Sequence, residues 1–174
     1  MYNRERLLRA NGPTGKRTNM RRKDKEITDR SAMEEIIHQA QICHIGLVDD
    51  DQPYVIPVHF GYQNGALYFH GALQGRKMDI LKKNPKACVQ FDIGMTLVTG
   101  EKACDWGAYF QSVIAFGRAA ILEDADEKKK GLDVIMAHYS DQTYDYPDHR
   151  IANTAVIKIV FDTMTGKQKM PSAD

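Results

Sequence analysis

The sequence lacks the features that mark membrane-spanning, secreted or disulfide-rich proteins. No apolar run approaches the roughly 20 residues that a transmembrane helix needs, and the longest apolar stretch near the start is Leu7-Leu8, which is no secretory signal. The three cysteines, Cys43, Cys88 and Cys104, are odd in number and form no CxxC motif. Neither a disulfide framework nor a structural zinc site is therefore predicted. These absences predict a cytoplasmic protein whose cysteines are small buried thiols.

The sequence also lacks a strong charge of either sign. Its formal net charge is +1 over 174 residues, which gives no indication of a nucleic-acid or membrane partner. Residues 1–19 are the exception, with five basic residues against one acid, and they are predicted to be a disordered tail rather than a basic arm or a transit peptide. Residues 20–174 are long enough for one domain with a sizeable core, and no linker divides them.

Hydrophobic periodicity predicts a mainly β fold with peripheral helices, most simply a small barrel. A capping box, Ser31 to Glu34, predicts the start of a first helix. Further helices are predicted at 75–84 and 125–139, and strands at 43–48, 54–62, 66–71, 86–91, 109–122 and 155–161.

The dipeptide Asn64-Gly65 predicts a two-residue hairpin between the second and third strands. Residues whose numbers sum to 129 then lie opposite each other, so that His59 faces His70. Since side chains alternate between faces, one face is apolar and belongs to the core. The other face carries Val55, Pro57, His59, Gly61, Tyr68, His70 and Ala72.

This second face, with two histidines about 5 Å apart at Cβ, allows several interpretations. Pro57 removes a ladder donor and so predicts a sheet edge, where a flat patch of this kind could receive a planar ligand. A solvated outer face and a pair of structural histidines are the alternatives. A metal site is not predicted, because no third ligand is placed near the two histidines.

The helix that follows the third strand has features of an anion site. Gly71 and Gly75 relax the backbone, and Arg76 and Lys77 lie in the first helical turn. Basic side chains there oppose the helix dipole unless an anion accompanies them. The alternative is a solvent-facing pair, with Asp79 as a nearby counter-charge.

Three runs of the sequence resemble a known family: QPYVIPVHFGY, LYFHGALQGRKMDILKKNPKACVQF and SVIAFGRA. They are similar to the pyridoxamine-phosphate-oxidase-like family of FMN-binding split barrels, and within it to the nitroimidazole-resistance proteins. The runs MRRKDKEITD, CDWGAYFQSVIAFGRA and IKIVFDTMTGKQK resemble that group as well. The resemblance covers residues 20–169. It implies a split β-barrel and a homodimer with FMN in clefts between the subunits.

The resemblance also implies roles for individual residues. Residues 55–59 match the strand that lines the flavin ring, and Phe69 and His70 match the end of the next strand. Arg76 and Lys77 match the basic pair on the FMN phosphate, and Ser112 matches a polar contact from the long strand. His70 matches a histidine implicated in activity. The implied cofactor contacts are Val55, Ile56, Pro57, Val58, His59, Phe69, His70, Arg76, Lys77 and Ser112.

Two departures from the family pattern limit the functional expectation. Gln111 stands where relatives often carry a basic residue, and no counterpart is found for the C-terminal Trp and Arg that true pyridoxamine phosphate oxidases use for flavin and substrate. Oxidation of vitamin B6 is therefore not expected. The expectation is therefore an FMN-dependent oxidoreductase that reduces nitroimidazoles or other nitroaromatics. A flavin carrier without turnover is the alternative, and a split barrel that binds haem or another planar ligand is a weaker one.

Overall fold

The computed structural model describes residues 20–171, so the prediction of a disordered tail at 1–19 lies outside the described residues. The strands are β1 (Glu26–Ile27), β2 (Cys43–Asp49), β3 (Gln52–Val58), β4 (Gly61–Gln63), β5 (Ala66–Gly71), β6 (Lys86–Val98), β7 (Gly107–Leu122) and β8 (Ala155–Lys169). The helices are α1 (Arg30–Gln39), α2 (Arg76–Lys83), α3 (Ala125–Ala137) and α4 (Asp148–Ala152).

The strands form one antiparallel sheet in the order β3-β2-β6-β7-β8-β5-β4, with β1 added to β8. The first and last strands of this order are consecutive in the chain, and only His59 and Phe60 separate them. The sheet therefore curls until its two edges meet at that corner, which makes it the predicted split β-barrel. The prediction of one strand over 54–62 is wrong, because the chain leaves β2 after Val58 and joins β5 from Gly61 onward.

The predicted hairpin is confirmed. Asn64 and Gly65 have φ values of 51° and 77°, as a two-residue turn between twisted strands requires. Gly61 pairs with Tyr68 and Tyr62 with Leu67, in the predicted register. The alternation of faces also holds, with Tyr62 and Leu67 buried in the core.

Strands β6 and β8 are much longer than predicted, and β7 bends where a bend was predicted. β6 runs to Val98 and β8 to Lys169, past the apolar segments that indicated them, because ladder pairing with β7 continues through polar residues. The register of β7 against β8 shifts between Phe116 and Gly117, the position where a bend was expected. A Cβ at Gly117 would stand 2.1 Å from the carbonyl oxygen of Val160, so only glycine fits there.

The start of α1 differs from the prediction. Asp29, not Ser31, is the N-cap, and its carboxylate accepts the N–H of Ser31 at 3.1 Å. Glu34 does not close a capping box, because its carboxylate instead accepts the hydroxyl of Tyr62 at 2.8 Å and pairs with Arg30. The predicted apolar face of this helix is correct, with Ile36 and Ile37 almost fully buried.

The core fills the inside of the barrel. Its largest fully buried side chains are Phe60, Phe69, Phe91, Ile36, Ile37, Ile45, Leu47, Leu67, Ile80, Ile157, Ile159 and Val89. The predicted burial of the thiols is correct for Cys43, whose pKa burial raises, but wrong for the exposed Cys104. Over residues 20–171, no helix is both long and apolar enough to cross a membrane.

Candidate functional site

The N-terminus of α2 is open. Its N-cap, Gly75, has φ 114° and no side chain to bond the free N–H groups of the first turn. The N–H groups of Met78 and Asp79 return to the Gly75 carbonyl, whereas those of Arg76 and Lys77 have no acceptor within residues 20–171. Unpaired N–H groups and the helix dipole together favour an anion at this place.

Lys77 holds its ammonium group over the end of β5. A Cβ at Gly71 would lie 2.5 Å from Lys77 Nζ, so the missing side chain makes room for the charge. The same nitrogen lies 5.3 Å from the centroid of the buried Phe69 ring, a cation–π distance. Burial lowers the pKa of Lys77, and no ion pair with another described residue neutralises it. An added anion would therefore be well accommodated here.

Arg76 is anchored on the other side of the helix start. Its Nε donates to Asp49 at 3.1 Å, and its guanidinium lies 4.8 Å from the centroid of the Tyr54 ring. These contacts connect α2 to the β2–β3 hairpin. The terminal guanidinium nitrogens have no hydrogen-bond partner in the described part of the chain, so they remain able to donate to a phosphate.

The two histidines of the predicted ligand face are both exposed but are not ladder partners. The prediction that His59 lies opposite His70 is wrong, because β3 ends at Val58 and His70 pairs with Val156 of β8. They are still neighbours across the corner. The protein partly shields His70 from solvent, and this partial burial is the main cause of its lowered pKa. The charges of Lys77 and His59 lower the pKa further. A lowered pKa leaves His70 neutral at pH 7, able to donate one hydrogen bond and accept another.

Strand β3 runs along the open side of this site. It is an edge strand, as Pro57 predicted, since it pairs with β2 alone. Val55 is 61% exposed and Pro57 is also exposed. Ile56 and Val58 pack instead against the core, so any contact they make with a ligand is through the main chain.

Ser112 lies on the same outer face of the sheet, on β7. It pairs with Asp92 of β6 and Lys167 of β8, and its hydroxyl donates to the Lys167 carbonyl at 3.4 Å. Within the described residues no hydrogen bond joins Ser112 to His70 or Lys77. The neighbouring Gln111 donates to Gln168 at 3.2 Å and is occupied by that contact.

Sequence reasoning missed two residues that shape the site. Asp49 fixes Arg76, and Tyr139 contacts the corner that carries His59. Both are distant in sequence from what they touch, and neither belongs to a local motif. A mid-chain tyrosine at helical spacing signals only core packing, so no pattern along the chain could have found it.

Comparisons with known proteins give the family and the fold of the chain. A family model described as pyridoxamine 5′-phosphate oxidase matches residues 29–168, which is most of the chain. A search of curated proteins found no match.

Several solved structures share the fold. A protein of Bacteroides thetaiotaomicron, provisionally named as a 5-nitroimidazole antibiotic resistance protein, is 37% identical over 82% of this chain and 86% of its own, with a TM-score of 0.75. A flavocytochrome of Azotobacter vinelandii is 21% identical over 87% of this chain and 72% of its own, with a TM-score of 0.77. An FAD- and haem-binding protein of Mycobacterium smegmatis is 18% identical over 86% and 76%, also at 0.77. At such low identity the last two establish the fold alone.

Proposed function

The chain belongs to the pyridoxamine 5′-phosphate oxidase family, and from that premise we propose that it binds FMN and acts as an oxidoreductase. The phosphate lies at the start of α2, where Lys77 and Arg76 receive it. The flavin ring lies along the exposed side of β3, over Val55 and Pro57. Ser112 and a second subunit complete the site.

The observation that carries this proposal is the open anion site beside a neutral histidine. Lys77 presents an unpaired, partly desolvated ammonium over Gly71, and the two free N–H groups of α2 point from the same helix start. Arg76 touches Tyr54 at one end of β3, and His70 neighbours His59 at the other. A ligand with its phosphate at the start of α2 and its planar ring on β3 would reach from Arg76 and Lys77 to the two histidines.

The bound flavin supplies the redox chemistry, and the protein orients it. His70 is the residue proposed to contact the substrate, because it is exposed and its lowered pKa keeps it neutral. It can therefore donate a hydrogen bond to an oxygen that gains negative charge. The substrate class is nitroaromatic, which the name of the 37% identical relative supports.

A homodimer is part of the proposal. On the outer face, ladder pairing aligns Val55, Gly46, Cys88 and Phe116 in one row across four strands. Phe116 is 53% exposed and Val55 61%, so both ends of this row present apolar side chains at the surface. This face continues into the proposed flavin site, so a second copy would cover both.

The first experiment identifies the cofactor. Protein purified without added flavin should be yellow, and mass spectrometry of the released ligand should give FMN rather than FAD or haem. The double variant Arg76→Ala/Lys77→Ala should lose most of its flavin, because the phosphate loses its charge-assisted bonds. The pair Lys82→Ala/Lys83→Ala, at the other end of α2, is the matched control. Wild-type flavin occupancy in the Arg76/Lys77 variant would reject the phosphate site.

The second experiment separates the enzyme from a flavin carrier without turnover. Chemically reduced protein is mixed anaerobically with a 5-nitroimidazole, and reoxidation is followed by flavin absorbance. An oxidoreductase reoxidises much faster with the nitroimidazole than with buffer, and His70→Phe slows it without emptying the flavin site. Equal rates with and without the nitro compound would favour the carrier.

A further inference from the structure

The corner between β3 and β4 leaves a backbone group that the sheet does not satisfy. Phe60 is fully buried and follows the last residue of the β2–β3 ladder by two positions. Its N–H therefore has no strand partner, and a buried N–H left unpaired is destabilising. The residue before it, His59, lies at the same corner, near enough to His70 to lower the pKa of that histidine.

Tyr139, just beyond α3, satisfies this group. Its hydroxyl accepts the N–H of Phe60 at 3.0 Å and donates to the carbonyl of Gln41 at 2.8 Å. One hydroxyl thus connects the corner to the loop that leads into β2. Burial raises the pKa of Tyr139, so the hydroxyl keeps its proton at neutral pH.

The ring of Tyr139 also contacts His59. The two rings meet edge to face, with centroids 5.5 Å apart and planes at 87°. His138, the preceding residue, packs on Phe60 at 4.4 Å and reaches the Ala40 carbonyl at 2.7 Å. Gly61 on the other side of the corner lies directly against α3, where a Cβ would stand 2.1 Å from the Val134 carbonyl oxygen.

We propose that Tyr139 is a positioning residue, which sets the location of His59 beside His70 in the ligand site. The end of α3 holds the corner from both sides, by the Gly61 contact and by the Tyr139 hydroxyl. The ring then fixes the direction in which the His59 imidazole points. Its role in flavin chemistry rests on the proposed function, whereas the placement of His59 does not.

The test is an NMR titration of the histidine side chains in the flavin-free protein. The groups that lower the pKa of His70 are Lys77 and His59, besides burial. Tyr139→Phe keeps the ring but removes both hydrogen bonds, so His59 shifts and the titration midpoint of His70 moves. Tyr144→Phe is the matched control, since Tyr144 is 40% exposed against 41% for Tyr139 and its hydroxyl is likewise hydrogen-bonded, to that of Ser140.

A double-mutant cycle distinguishes positioning from general structural support. In a His59→Asn background, Tyr139→Phe should no longer change the His70 titration, because its effect passes through His59. A change that persists in that background would overturn the proposal. So would a Tyr139→Phe protein with wild-type His59 resonances and a wild-type His70 titration.

Flavin affinity gives the functional readout. Tyr139→Phe should weaken flavin binding by up to about tenfold, the scale of one lost hydrogen bond, while Tyr144→Phe leaves it unchanged. If wild-type protein binds no flavin, the proposed function fails, but the histidine titrations still decide the role of Tyr139. If flavin binds and the titrations do not respond, the positioning role alone fails.

Discussion

Two side chains of the candidate site have pKa values that their surroundings lower. Burial lowers the pKa of Lys77, and burial together with Lys77 and His59 lowers that of His70. The positive charge of Lys77 makes His70 harder to protonate. A bound dianion would reverse this effect and raise both pKa values. A bound anion would therefore offset the unpaired positive charge of Lys77.

The lowered pKa of a second histidine, His138, allows a prediction of how the free energy of unfolding depends on pH. The pKa of His138 is lowered chiefly by burial, with His38 acting in the same direction and the Ala40 carbonyl opposing it. The unfolded chain therefore binds more protons than the folded one as pH falls through the unfolded value of about 6.5. The contribution of His138 to the free energy of unfolding is fully present above that pH and is lost as the pH falls.

Urea unfolding at pH 7.5 and 5.5 checks this prediction. The wild type should be less stable at the lower pH, and His138→Gln should show a smaller difference between the two. The exposed His149 provides the control His149→Gln. A His138→Gln protein with the full wild-type difference would contradict the assignment.

Among the elements, α3 combines a well-defined N-cap with contacts to segments far away in the sequence. Asp124 caps it by accepting the N–H groups of Asp126 at 3.0 Å and Glu127 at 2.9 Å. Gly131 lets the helix approach the sheet, since a Cβ there would lie 2.8 Å from Val156. The helix carries Tyr139 at its end, so its cap contributes to holding the His59 corner.

Removal of this cap should destabilise the protein. Asp124→Ala should lower the free energy of unfolding by about 1 kcal/mol, measured by urea denaturation. Asp124→Asn keeps a side-chain acceptor and should remain close to the wild type. Equal losses in the two variants would show that the cap bonds are not the cause.

Helix α3 covers one part of the outer side of the barrel sheet, and another part of that side is exposed. Ile114, 40% exposed, and Phe116, 53% exposed, are apolar side chains of β7, and Phe116 begins the row that ends at Val55. The opposite surface of the same strands is covered by the core. A second copy that covers this face would bury the apolar row and enclose the proposed flavin site in one step.

A charged substitution in this row should separate the subunits. Phe116→Asp should convert a dimer to a monomer in analytical ultracentrifugation, because an unpaired carboxylate at a buried contact is costly. Met170→Asp, with the same 53% exposure but beyond the end of β8, is the control. A monomeric wild type, or a dimeric Phe116→Asp, would contradict the proposed interface. Flavin loss should accompany dissociation if both subunits form the site.

Local sequence determined much of this protein. The Asn64-Gly65 turn, the alternating faces of β5 and the breaks at Gly75 and Pro85 depend on neighbours within a few residues, and their predictions hold. The resemblance carried by the runs around Arg76 and Lys77 gave the family, which the match over residues 29–168 confirms. The assignment of individual cofactor contacts stays a prediction.

Only the tertiary structure decided how distant segments meet. The chain turns at His59 and Phe60 because one apolar segment is shared between two partners. Its first part pairs with β2 up to Val58, and its last part pairs with β5 from Gly61 onward. The Asp49–Arg76 ion pair and the Tyr139 bridge span 27 and 79 residues. Ladder pairing and side-chain contacts across such separations depend on closure of the whole barrel, and no local periodicity encodes that closure.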